Sequence, residues 1–133
     1  PEHLPLTVRL SCTDWVEHGW SLTDTIRLAQ QLKAVGVDLI DCSAGGNTPN
    51  PPATAYPGYQ VPFAEAVRRQ ADLATAAVGL ITAPEHANEI ISSGQADVVL
   101  LGRELLRSPT WPLHAAKALK QSNPIPGQYL RGF

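Results

Sequence analysis

The sequence contains no methionine, only two phenylalanines and two cysteines, and charged residues make up 17% of its 133 positions. The two cysteines, Cys12 and Cys42, cannot build a disulfide framework, and no CxxC or His/Cys cluster accompanies them to suggest a metal. Their expected place is buried, at strand ends, since free cysteine is among the most buried residue types. No apolar run approaches the ~20 residues of a membrane span; the longest, Val98-Val99-Leu100-Leu101, is strand-sized. No charged and then apolar stretch opens the chain, so no secretory signal is visible, and a cytoplasmic protein is expected. Ten Lys+Arg against twelve Asp+Glu give a net charge of −2. That excludes the basic stripe of a nucleic-acid binder and a polybasic membrane anchor. GxSxG, P-loop and GxGxxG signatures are all missing, so hydrolase, NTPase and Rossmann dinucleotide readings lack support. His3, His18, His86 and His114 stand in no ligand-like spacing and are expected on the surface or on helix faces. With Pro1 in first place and no Met, the chain is expected to be a piece of something longer or a processed product.

What is present is an apolar content of 44%, enough for one domain with a core. Four short apolar runs are each followed by a helix-like stretch. They are Leu6-Thr7-Val8-Arg9-Leu10-Ser11, Val37-Asp38-Leu39-Ile40-Asp41-Cys42, Ala74-Thr75-Ala76-Ala77-Val78 and Asp97-Val98-Val99-Leu100-Leu101. Ser21 or Thr23 can cap a first helix carrying Ile26, Leu28, Ala29, Leu32 and Val35, with Gly36 as its stop. Further helices are expected over 63–71, over 84–92 with Gly94 as stop, over 103–107 and from 112 to about 120. The second and fourth runs are continuously apolar, as strands read when both faces are covered. Alternating strands and helices with short links imply right-handed βαβ units and an α/β fold of about four such units. An open doubly wound sheet and part of a TIM (βα)₈ barrel both satisfy the pattern.

Several residues fall where such sheets carry their chemistry. The long loop 43–62, with Pro49, Pro51, Pro52, Pro57 and glycines 45, 46 and 58, follows the C-terminal end of a strand. Both layouts place ligands there. Gly102-Arg103 ends the fourth strand and opens a short helix. Helix-start N–H groups suit a phosphate, glycine lets it approach, and Arg adds a two-pronged cation. Gly79 offers a second turn of the same kind. The alternative is that both glycines only relieve tight turns and Arg103 is solvated. Arg9, between Val8 and Leu10, points to the face opposite theirs and needs an anionic or polar partner. Two readings stay open: a carboxylate such as Asp41, or an electron-rich ligand at the strand's end. Ser43 can bond a ligand or simply start the loop. The tail 122–133, ending Tyr129-Leu130-Arg131-Gly132-Phe133, has no periodicity, and its aromatics suggest docking onto something.

Taken in order, five segments resemble the Old Yellow Enzyme family. They are residues 5–20 (PLTVRLSCTDWVEHGW), 36–43 (GVDLIDCS), 57–64 (PGYQVPFA), 77–82 (AVGLIT) and 96–106 (ADVVLLGRELL). The nearest likeness is to its thermophilic-like flavin-dependent NAD(P)H dehydrogenases, also called ene-reductases or xenobiotic reductases. The resemblance implies an FMN-binding barrel of which this chain is the C-terminal half, residues 1–121, followed by the tail. It implies hydride transfer from NAD(P)H to FMN and on to an activated alkene such as an enone. It assigns Arg9, Ser43, Gly79, Gly102 and Arg103 to FMN, with Arg9 by the flavin N1/C2 carbonyl and Gly79, Gly102 and Arg103 at the phosphate. Arg131 matches a tail arginine that reaches into a neighbouring subunit's active site, which implies a homo-oligomer. The family's substrate-anchoring His-His or His-Asn pair, its proton-donating Tyr and its flavin-tuning Cys belong to the N-terminal half. Cys12, Cys42, Tyr56 and Tyr59 do not replace them, so no catalytic residue is expected here, and the N-terminal half is expected as a partner, in the same or a second chain. Two other readings remain: a non-catalytic phosphate-ligand or assembly module, and another phosphate-binding barrel such as a biosynthetic isomerase. The isomerase reading leaves Arg9 and Arg131 without a use.

Overall fold

The computed structural model describes residues 3–49, 54–122 and 125–132. Pro1, Pro51, Pro52 and Phe133, singled out above, lie outside that set. The described chain runs β1 (Thr7–Ser11), α1 (Leu22–Ala34), β2 (Leu39–Ser43), α2 (Val61–Ala71), β3 (Ala74–Ala77), α3 (Pro84–Ser92), β4 (Val98–Val99), α4 (Arg103–Arg107) and α5 (Trp111–Ala118). A short 3-10 turn, Gly127–Gly132, closes it. The four strands form one parallel sheet in the order β1-β2-β3-β4. Sequential parallel neighbours joined by helices are what a (βα)₈ barrel requires of its strands.

Helix boundaries follow local chemistry. Ser21 caps α1 in a reciprocal box: its Oγ accepts the Asp24 N–H, and the Asp24 carboxylate accepts the Ser21 N–H. Its Asp24 carboxyl is held below the usual range mainly by the Ser21 hydroxyl. At the far end Val37 N–H bonds the Leu32 carbonyl and Gly36 N–H that of Lys33, a Schellman arrangement with Gly36 at φ +95°. Gly94 does the same for α3, its neighbour Gln95 bonding back to Ile90. The α2 helix begins two residues before the expected 63, because Pro62 is tolerated in a first turn.

Side-chain alternation splits the sheet into two unlike faces. Ile40, Cys42 and Cys12 are fully buried beneath the helices, with Ala29, Val67 and Ile90 packed against the same core. The other face carries, in register, Thr7/Leu39/Ala74, then Arg9/Asp41/Ala76/Val98, then Ser11/Ser43. This face is only partly covered: Val98 is 40% exposed. The expectation of strands covered on both sides is therefore not met by the described residues; β2 alternates instead, with Ile40 and Cys42 buried and Leu39, Asp41 and Ser43 less so. The fourth strand is also shorter than the expected 97–101. Asp97 keeps a backbone bond to the Thr75 carbonyl while its side chain accepts the Thr75 N–H and the Arg68 guanidinium, and β3 ends at Ala77 and leaves β4 little to pair with. Leu100 N–H still reaches the Ala77 carbonyl.

The lopsided core makes a clear stability contrast. Ile40→Ala should cost about 2–5 kcal/mol in urea unfolding. Val35→Ala, at a site 77% exposed, should stay within about 0.5 kcal/mol. Comparable losses at the two positions would contradict a core confined to the helix-covered face.

Candidate functional site

All four strands point their C-terminal ends the same way, and a cleft of about 250 Å³ opens there. Its lining brings together Arg9 from β1, Ser43 from β2, Gly79 after β3, and Gly102 and Arg103 after β4. The five residues expected to act together thus converge from four successive strand ends.

Of the two readings offered for Arg9, the carboxylate pairing is the one seen. Its Nη1 donates to Asp41 Oδ2 at 2.9 Å, and its Nη2 donates to Ser43 Oγ at 3.0 Å. Its side chain is nevertheless 58% exposed, because it lies on the uncovered face and lines the cleft. The cation is paired along β2 and still open to a ligand.

The partner is unusual. Asp41 is only 14% exposed, and its Oδ1 is buried without a hydrogen-bond partner among the described residues. Burial raises its carboxyl above the ordinary value, outweighing the attraction and hydrogen bond of Arg9. A half-paired buried carboxylate is weak support for stability. What it does is aim Arg9. Next to it, Cys42 is pushed up as a thiol by its hydrogen bond to Cys12 and by burial. Both cysteines are fully buried, as expected, and face the helices rather than the cleft.

The two glycine turns differ. Gly79 has φ +129°, and its carbonyl accepts the Gly58 N–H at 2.8 Å. A Cβ there would lie 2.9 Å from Gln60 Nε2 and 3.1 Å from the Tyr59 ring, so only glycine fits. Gly102 lines the cleft, and a Cβ on it would meet nothing within 4 Å. The first N–H groups of α4 follow, and these have no acceptor inside a helix. Arg103 is exposed and has no hydrogen bond or ion pair among the described residues. An open glycine, a free guanidinium and a second cation at Arg9 form a donor set that fits an anionic, phosphate-bearing planar ligand such as FMN.

Sequence reasoning missed three lining residues. Glu104 and Arg107 pair at 2.6 Å along α4. Gln60 is 3% exposed, yet at the N-cap of α2 it makes no capping bond. Glutamine is a poor cap, so its position just before an apolar helix was the available signal. Arg131 is exposed on the tail turn, away from any described partner. The histidines stand at the surface or half-buried on helix faces, and among the described residues no His/Cys/Asp/Glu group could hold a metal ion. No helix among the described residues is long and apolar enough to cross a membrane.

A four-stranded parallel βα segment with a cleft at its C-terminal mouth has the architecture of a partial barrel. Residues 2–122 match the family model of the NADH:flavin oxidoreductase / NADH oxidase family, and the chain belongs to that family. This is the family its motifs resemble, and membership implies FMN as cofactor. Similar proteins include NADPH dehydrogenases of Halalkalibacterium halodurans (49% identity), Geobacillus sp. strain WCH70 (50%) and Bacillus subtilis (48%). Each match covers 97% of this chain but 38% of the relative, so the chain spans well under half of their length. Among solved structures, histamine dehydrogenase from Rhizobium sp. 4-9 superposes with a TM-score of 0.70 at 19% identity, over 86% of this chain and 17% of that one. That likeness speaks to the fold alone.

The imbalance at Asp41 has a pH signature. With its folded pKa raised, the wild type is relatively most stable below the unfolded value of about 3.9 and loses that contribution as pH rises through the folded value. Asp41→Asn removes the slope. In urea unfolding the variant should gain on the wild type between about pH 4 and pH 7. A variant that instead loses ground as pH rises would show that the Arg9 pair outweighs burial.

Proposed function

We propose that this chain forms the cofactor-holding part of an FMN-dependent NAD(P)H oxidoreductase that reduces activated alkenes such as enones. The observation that carries the reading is the convergence of Arg9, Arg103 and the Gly79 and Gly102 turns on one cleft at the C-terminal end of the sheet. When bound, FMN supplies the two-electron carrier between NAD(P)H and the alkene. Arg103, with the turns at Gly79 and Gly102, holds the phosphate. Arg9, kept in place by Asp41 and Ser43, sets a positive charge at the N1/C2 carbonyl edge of the ring and favours its anionic reduced form. Substrate anchoring and proton donation fall to residues outside this chain.

The rest of the barrel is the partner this reading requires, in the same or a second chain. The uncovered sheet face, with Arg9 and Val98 open, and the unpaired outer edges of β1 and β4 support it. Arg131 on the exposed tail completes a neighbouring subunit's site, which makes the working form a homo-oligomer.

Phosphate recognition separates this reading from its alternatives. Arg103→Ala should weaken FMN binding by about 1.5–3 kcal/mol and leave riboflavin, which lacks the phosphate, nearly unaffected. Fluorescence titration with both ligands decides it; equal losses count against the clamp, and a colourless protein indifferent to FMN favours a non-catalytic module. Size-exclusion with light scattering of the isolated chain should show association. A stable monomer on dilution contradicts the required partner.

A further inference from the structure

Gln60 is the most deeply buried polar side chain lining the cleft. Its amide serves two neighbours. Nε2 donates to the Val78 carbonyl at 3.1 Å, and Oε1 accepts the Ser43 hydroxyl at 3.3 Å. The amide cannot be turned round, because a carbonyl accepts only and would then face the amide oxygen. Its direction fixes that of Ser43. The serine's single proton goes to Gln60, and a lone pair is left for Arg9 Nη2 at 3.0 Å. Donation therefore runs one way, from Arg9 to Ser43, from Ser43 to Gln60 and from Gln60 to the Val78 carbonyl. The last acceptor directly precedes Gly79, whose missing Cβ lets the turn sit on the same amide.

We propose that Gln60 is a positioning residue whose amide sets the direction of this relay and so holds Arg9 in fixed relation to the Val78–Gly79 turn. The inference deepens the flavin reading above, since it says how the two ends of the cleft keep their spacing, but the relay itself belongs to the protein alone. It also gives Ser43 a narrower part. With its proton committed to Gln60, the hydroxyl orients the guanidinium and can only accept from a ligand. Linked hydrogen bonds reinforce one another, and two of these three are part-buried, so a break at Gln60 is felt at Arg9.

Gln60→Glu tests this, because the introduced carboxyl can both accept from Ser43 and donate to Val78 only while protonated. The readout is exchange of the Arg9 Nη protons by arginine-selective NMR on the full chain without FMN, as a ratio to wild type at each pH. Arg9 should exchange about tenfold faster than wild type where the carboxyl is ionised and return toward wild type as pH falls and it protonates. Gln60→Leu, which can do neither, should exchange fast at every pH. A ratio near one in both folded variants overturns the proposal, as does fast exchange in Gln60→Glu that acid does not slow, the mark of general loosening. Because no flavin is present, failure of the wild type to take up FMN would bear on the proposed function and not on this measurement.

Discussion

Arg9 carries its charge on a sheet face where the protein gives it two partners, both on the neighbouring strand and two residues apart. Side chains that far apart on one strand share a face, and the parallel register sets Arg9 directly beside Asp41. The guanidinium is thus spread along β2, with its remaining edge toward the cleft. Shift the β1–β2 register by one residue and Arg9 would pass to the helix-covered side, where it has no anion and no room. The site rests on that register, and the register rests on the buried face: Ile40 and Cys42 can face the helices only if Asp41 and Ser43 face the other way.

The glycines take the argument from the strand to the loops. Gly79 is forced both by its positive φ and by the Gln60 and Tyr59 side chains beneath it, so the β3 turn is seated on the start of α2. Gly102 is under no such pressure: its φ is −82°, and a Cβ there would stand in open space. One glycine serves packing and the other serves access. That glycines relieve turns describes Gly79 in part, since its turn needs a positive φ.

Much of this was legible beforehand, for identifiable reasons. Strand–helix alternation and the glycine stops at Gly36 and Gly94 are local signals, and local signals survive folding. The convergence of Arg9, Ser43, Gly79, Gly102 and Arg103 followed from a topological rule, since all five sit at or near C-terminal strand ends. The motifs in their order then pointed to the family. What stayed hidden depends on contacts between distant segments. Gln60 is unremarkable until Ser43 and Val78 are placed on either side of it. The brevity of β4 could not be read from Val98-Val99-Leu100-Leu101, because it follows from where β3 stops. The uneven covering of the two faces was missed because a run such as Val37-Asp38-Leu39-Ile40 reads the same whether its second face meets a helix or the hollow of a barrel.

The two ends of the sheet divide the work. At the N-terminal end, Asp38 accepts the Leu6 N–H and Asp97 accepts the Thr75 N–H, each tying the start of the neighbouring strand to its own. These carboxylates tie the strand starts together, and Asp97 also holds Arg68. At the C-terminal end, Asp41 repeats the residue type but not the job: it satisfies no backbone group, keeps one oxygen unpartnered and aims a cation. Asp38 and Asp41, before and within β2, and Asp97, before β4, therefore differ by position along the strand and not by chemistry. Where a carboxylate meets a strand's free N–H, it serves stability. Where it meets a side chain at the mouth, it costs stability and gains a role only through what that side chain holds. A chain could change either end with little effect on the other, which is how a barrel fold keeps its frame while its mouth acquires new ligands.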